Sequence, residues 1–147
     1  MKAKMILSLL VIIILIACGK DKFETKPRIE IKNYNTKIVA KGNGNELRID
    51  IDYFDKEGDL SQAEFFAVRQ RLNVKSLPAN ADKADTLRYP LPKFPEKDHA
   101  GIVFQLGWDF LKESPSENDT IVFRFAVADK AGHKSDTITS SKLVILK

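Results

Sequence analysis

The sequence predicts an all-β domain, an antiparallel β-sandwich of about seven strands. Three observations predict it. Apolar and polar residues alternate with period two in one stretch after another. Clusters of Gly, Pro and Asn separate those stretches. No stretch carries a convincing helical period.

The first alternating stretch is Arg28-Ile29-Glu30-Ile31-Lys32. After the Asn33-Tyr34-Asn35 turn, Thr36 to Ala40 is a short β-prone run, and Gly42-Asn43-Gly44-Asn45 is a turn cluster. Leu47, Ile49, Ile51 and Tyr53 then alternate with Arg48, Asp50 and Asp52, as in a strand with one apolar face and one wet face. Residues 54–60 form a loop. Ala63 to Leu72, with Phe66, Val68 and Leu72 and polar Glu64 and Gln70, suits a strand and also tolerates a helix. Its neighbours favour the strand.

Residues 73–99 are irregular, because Pro78, Pro90, Pro92 and Pro95 break any regular ladder. A short edge strand is expected near Thr86 to Tyr89. Two strong strands follow. Ile102, Phe104, Leu106 and Trp108 share a face of the first, and Ile121, Phe123, Phe125 and Val127 a face of the second. Trp108 is expected to pack in the core with Phe104 and Phe125. Lys112 to Asp119 is a polar turn between these strands. Asp129 to Lys134 is a tight connection into a last strand from about Asp136 to Leu146.

The segment ahead of the domain has a different character. Lys2 and Lys4 precede an apolar run, Met5 to Ile16, that falls short of the roughly 20 residues a bilayer span needs. A basic start, an apolar middle and a small residue at the cut read as a secretory signal. Leu15-Ile16-Ala17-Cys18 resembles a bacterial lipobox, and the resemblance implies cleavage before Cys18 and acylation of it. An ordinary cleaved signal is the alternative. The organisation expected is a signal peptide over 1–17, a tether over 18–27 and the sandwich over 28–147. Gly19 to Pro27 is polar, and nine residues reach about 30 Å when extended. Acyl chains contribute about 0.8 kcal/mol per buried CH₂, so a multiply acylated Cys18 would hold the chain on a membrane. By analogy with sorting rules that retain Asp-bearing lipoproteins at the inner membrane, Gly19 points to the outer membrane. Cys18 is the sole cysteine, so the domain does without disulfides.

Two further segments resemble a family together with the lipobox. Ile51-Asp52-Tyr53-Phe54-Asp55-Lys56-Glu57-Gly58-Asp59-Leu60 resembles the F-x-D-x-(D/E)-G-D-L loop of immunoglobulin-like domains in small lipoproteins of Gram-negative bacteria. Phe123 to Ser135 is similar to the D-x-A-G-N-x-S hairpin of the same domains, with His133 standing where Asn is usual. The resemblance implies an immunoglobulin- or fibronectin-III-like sandwich on the cell envelope. It implies no activity, because such sandwiches host unrelated functions.

Several function classes are expected to be absent. Removing Lys2 and Lys4 with the signal lowers 24 basic residues to 22, against 20 acidic ones, a net charge of +2. No basic face with interleaved aromatics is present, so no nucleic-acid partner is expected. His99 and His133 lie in expected loops, without a metal-ligand companion at useful spacing. No Gly-x-Ser-x-Gly elbow occurs, and the one thiol is assigned to lipid. Asp50 and Asp52 form a carboxylate pair on a solvated strand face rather than in a cleft. The chain is therefore expected to be a non-catalytic binding or adhesion module for an envelope protein or a glycan. The alternative is a structural or accessory subunit that docks a partner chain on the Pro-rich segment or an edge strand. Leu91 and Phe94 either form an apolar partner surface or cover an open sheet edge.

One cofactor reading remains. In an immunoglobulin-like sandwich, the loops at 55–59 and 129–134 lie at the same end. That would gather Asp52, Asp55, Glu57, Asp59 and Asp129 into a weak calcium site, with Gly58 allowing the sharp turn. Lys56 and Lys130 could instead neutralise the patch, and the carboxylates could cap backbone N–H groups in a plain structural turn.

Overall fold

The computed structural model describes residues 26–42, 44–77 and 86–147. The expected signal, Cys18 and most of the tether lie outside them, as do Asn43 and Pro78. The described elements are β1 (Arg28–Tyr34), β2 (Ile38–Val39), β3 (Glu46–Phe54), β4 (Glu64–Arg71), β5 (Thr86–Pro90), β6 (His99–Gly107), a one-turn helix α1 (Trp108–Leu111), β7 (Asp119–Ala128), β8 (Ile138–Thr139) and β9 (Leu143–Ile145). They form two sheets. The smaller has the order β1-β3-β6, and the larger β2-β9-β7-β4-β5, with β8 also on β7. All pairings are antiparallel except β2 with β9. The domain is thus a small all-β sandwich, an arrangement compatible with an immunoglobulin-like fold.

Alternation explains most of it. Leu47, Ile49, Ile51 and Tyr53 on β3 are buried, while Arg48 and Asp50 on its other face pair with each other at 2.8 Å. Facing them, β7 buries Ile121, Phe123, Phe125 and Val127. Phe104 of β6 meets Phe123 and Phe125 edge-on, with ring centroids 5.0 and 5.1 Å apart, the geometry that aromatic quadrupoles favour.

The segment 63–72 forms a strand over Glu64–Arg71, as its neighbours favour, and its buried face is the odd-numbered one and not that of Phe66 and Val68. Phe65, Ala67 and Arg69 point inward, and Phe66 and Val68 are half-exposed. A shift of one residue swaps every side chain between faces. Outside, Phe66 is covered by the Arg88 guanidinium 5.5 Å from its ring, and Arg88 Nε donates to Glu64 at 2.8 Å.

Trp108 is the second correction. It leaves the β6 face and starts α1, half-buried at the rim of the core. Its indole N–H donates to the Leu146 carbonyl at 2.7 Å, and Lys41 lies over the ring. An indole needs a partner for its N–H when buried, and the rim supplies one where the centre cannot.

The last strand is two short strands instead of one. The β8 register on β7 pairs Arg124 with Thr139, whereas the β9 register pairs Ile121 with Leu143, a slip of one residue. Ser140 sits at the slip. Its N–H donates to the Phe123 carbonyl (2.8 Å) and its hydroxyl accepts from the Phe123 N–H (2.9 Å). Ser135 clips onto Val127 with the same two bonds, each 3.0 Å. Each serine hydroxyl thus takes the place of a ladder carbonyl, and the bulge leaves no β7 donor unpaired there.

Candidate functional site

The two sheets do not close on the β5–β6 side. A cleft of about 640 Å³ lies between the β6 edge of one sheet and β5 of the other, lined chiefly by Tyr53, Phe65, Tyr89, Phe94, Ile102 and Phe104. The Pro-rich segment 91–98 crosses from β5 to β6 and forms one wall. Leu91 N–H donates to the Ala63 carbonyl at 2.8 Å, and Phe94 N–H to Ser61 Oγ at 3.1 Å. Leu91 and Phe94 are half-buried against the core, and the Phe94 ring lies 6.2 Å from that of Tyr53. They act as a wall over core aromatics, with their outer surfaces still reachable.

The ladder between β3 and β6 sets which backbone groups of β6 face this cleft. At one end Asp55 N–H donates to the Asp98 carbonyl (2.8 Å), and at the other Trp108 N–H donates to the Asn45 carbonyl (3.2 Å). Hydrogen-bonded pairs alternate along an antiparallel ladder. With the register running from Glu46↔Gly107 to Phe54↔His99, the even-numbered residues of β6 bond to β3. Gly101, Val103, Gln105 and Gly107 therefore turn their N–H and C=O groups away from β3. Among the described residues no strand pairs with that side.

Tyr53 adds a polar group at this cleft. Its side chain is buried, and its hydroxyl has no hydrogen-bond partner among the described residues. Burial raises its pKa, and the charges of Asp55 and Asp98 raise it further, so it is a neutral hydroxyl at physiological pH.

The acidic residues distribute differently from the expected set of five. Asp52 lies on the outer face of β3 and pairs with Lys32 at 3.2 Å, because period two puts it opposite Asp55. Asp55 is buried, and its two oxygens accept from the N–H groups of Glu57 (3.3 Å) and Asp59 (3.0 Å). Gly58 takes φ +70°, and a Cβ there would stand 3.3 Å from the Lys97 nitrogen. Asp129 accepts from the His133 backbone N–H at 2.7 Å and lies 2.9 Å from His133 Nδ1. Glu57, Asp129 and His133 bring ligand atoms within 4.8 Å of one another. The expectation that His133 has no ligand-type companion is thus corrected, since the turn at Gly132 folds it back onto Asp129. His99 instead stacks on Phe54 at 4.6 Å.

Asp59 carries the electrostatic cost of this corner. Burial, a hydrogen bond shared with Asp55, and the charges of Asp129 and Asp55 raise its carboxyl above the usual range, outweighing its backbone hydrogen bond. A raised carboxyl favours folding below its ordinary pKa, and that advantage is lost as pH rises through the folded value. Asp59→Asn is therefore expected to stabilise the domain at pH 7 by about 0.2–1 kcal/mol, the size of a partly screened charge interaction. The gain should vanish below about pH 3.8. Denaturant titrations at pH 7 and pH 3.5 check both halves, and a loss of stability at pH 7 would refute the charge account. With Asp55 and Asp129 engaged by N–H donors, adding 5 mM calcium should move the melt by less than about 1 °C, where an occupied millimolar site would give about 4 °C.

No protein-family model, no curated protein and no solved structure matches this chain. The residues sequence reasoning missed are those of the cleft. Tyr53 and Phe104 read as plain core, and Phe65 lies on the face of its strand that the reading of 63–72 did not use. The signal available was His99 to Gly107, nine residues without proline or lysine, unusual for an edge strand.

Proposed function

We propose that this chain is a lipid-anchored envelope protein whose immunoglobulin-like sandwich binds a partner without catalysis. The observation that carries the reading is the open apolar cleft, lined by aromatics along one side of the domain, with a buried, unpartnered tyrosine hydroxyl behind its wall among the described residues. Pockets of roughly 300–1,000 Å³ with few polar groups are the usual form of a binding site. The described carboxylates support the non-catalytic part. Asp50 and Asp52 pair with Arg48 and Lys32 on an outer face, and Asp55 and Asp129 are engaged by N–H groups. The lipobox resemblance at Leu15 to Cys18 supports the anchor, and Gly19 the outer membrane. A role as accessory subunit of an envelope assembly is the second reading, favoured by the edge of β6, which is unpaired among the described residues.

Crosslinking in intact membranes followed by pull-down tests the binding role. A partner captured by the parent chain, and lost when Phe94→Asp puts a charge in the cleft wall, is the expected result. A partner at fixed stoichiometry would favour the accessory-subunit reading, and a glycan the adhesion reading. Capture unchanged by Phe94→Asp would remove the cleft from the function. Mass spectrometry of the native N-terminus should show an acylated Cys18 as first residue, and an unmodified Cys18 would overturn the anchor.

A further inference from the structure

We infer that the free edge of β6 takes up an extended polypeptide strand, whose alternate side chains fill the cleft; this rests on the reading of the cleft as a binding site. The chemistry of the edge selects the occupant. Gly101, Val103, Gln105 and Gly107 present N–H and C=O groups at the spacing of a strand, and a polypeptide backbone satisfies such a row in register. The stretch is seven residues, about 20 Å long.

The side-chain pattern follows from the pleat. Ile102, Phe104 and Leu106 face inward, so an added strand places every second side chain beside them, over Phe65 and Tyr53. Those positions require large apolar residues. The other positions lie outside, beside Val103, which is half-exposed, and Gln105, and take small polar or β-branched residues. Lys97 is exposed and is the one charged residue among those lining the cleft. It calls for an acidic residue at the strand end beside it. A free segment fits better than the edge of a second folded copy, because Tyr89 to Pro95 stand over the opening from the other sheet.

The test uses the full-length chain in lipid nanodiscs. The probe is a pool of nine-residue peptides with threonine at alternate positions, Val, Ile, Leu or Phe between them, and one terminal glutamate. Binding is read by calorimetry and by amide hydrogen exchange. Protection confined to Gly101, Val103, Gln105 and Gly107 is expected. Backbone N-methylation of alternate residues on the pairing side of the best peptide should weaken binding tenfold or more. Val103→Pro should do the same with little change in melting temperature, since the Val103 N–H does not serve β3 and proline is tolerated at such an edge position. Equal binding of the N-methylated peptide would overturn strand addition while leaving the cleft as a binding site. So would failure of the whole pool to bind, with the crosslinking partner still captured. A parent chain that dimerises at micromolar concentration, with Val103→Pro monomeric, would assign the edge to a second copy and overturn the proposal.

Discussion

Asp119→Ala is expected to cost about 3–5 kcal/mol, a large part of the 5–15 kcal/mol that holds a typical domain folded. Asp119 starts β7 and is fully buried. Four donors converge on it. Arg71 Nε reaches one oxygen at 2.8 Å, and the Lys112 ammonium (2.9 Å) and the N–H groups of Glu113 (2.9 Å) and Ser114 (2.8 Å) reach the other. Burial alone would raise its pKa. The Arg71 bond, the Ser114 N–H, Lys112 and the Glu113 N–H outweigh burial and bring it down to about 2 from the ordinary 3.8. A lowered carboxyl contributes stability above its unfolded pKa and loses it as pH falls through the folded value. That contribution is about 2 kcal/mol at neutral pH, and it should disappear between about pH 4 and pH 2. Removing the side chain also takes away a buried acceptor from the Glu113 and Ser114 N–H groups and one of the partners of Arg71 and Lys112, which brings the total above the linkage figure. Denaturant unfolding from pH 7 to pH 2 checks this. The parent should lose about 2 kcal/mol over the acid limb that Asp119→Ala does not lose, and parallel curves would refute the assignment.

The same residue shows what a linear reading can and cannot reach. Period two located β1, β3, β6 and β7, because burial of one sheet face leaves its mark on neighbouring residues in the chain. Lys112 to Asp119 read as a solvated turn, because its spacing carries no sign that Arg71 arrives from another strand. The β4 face was misjudged for a related reason. Phe66 and Val68 look like the inner face, yet Arg69 points inward, because Glu113 meets it from a distant part of the chain. Alternation carries through to Trp108 in the sequence, but the strand ends at Gly107 and the chain winds into α1, a change set by three-dimensional closure at the rim. At the acidic end, the approach of the 55–59 and 129–133 turns is legible from the expected topology, whereas Asp52 is near in sequence but falls on the other face, because period two sets it opposite Asp55. The cleft was the least legible feature. It exists because β5 and β6 pair with β4 and β3 and not with each other, and strand partners are not written in periodicity. Leu91 and Phe94 were the nearest signal, as apolar residues inside a proline-rich connection.

Arg69 and Glu113 provide the second large effect. Arg69 continues the inward row of Phe65 and Ala67, with 1% of its side chain exposed, and Glu113 follows α1 with 4%. Arg69 Nε stands 2.5 Å from Glu113 Oε1, and Arg69 Nη1 donates to the Phe110 carbonyl at 3.2 Å. The guanidinium also lies 5.9 Å from the Phe110 ring. The pair therefore plugs the end of the sandwich and ties α1 to β4. Two buried charges stabilise little relative to two apolar residues, because desolvation offsets their attraction, whereas removing one takes a close countercharge from the other while it stays buried. Arg69→Met and Glu113→Leu should each cost about 3–5 kcal/mol, and the double variant less than either alone. Equilibrium unfolding of the three variants and the parent closes the cycle. Additive costs would mean that each side chain acts through separate packing, and the ion pair would then have no part in holding α1 against β4. Arg71, two residues on, belongs to the Asp119 cluster, so the cycle is best repeated in the Asp119→Asn background. A coupling between Arg69 and Glu113 that survives there belongs to the pair itself and not to the neighbouring charges.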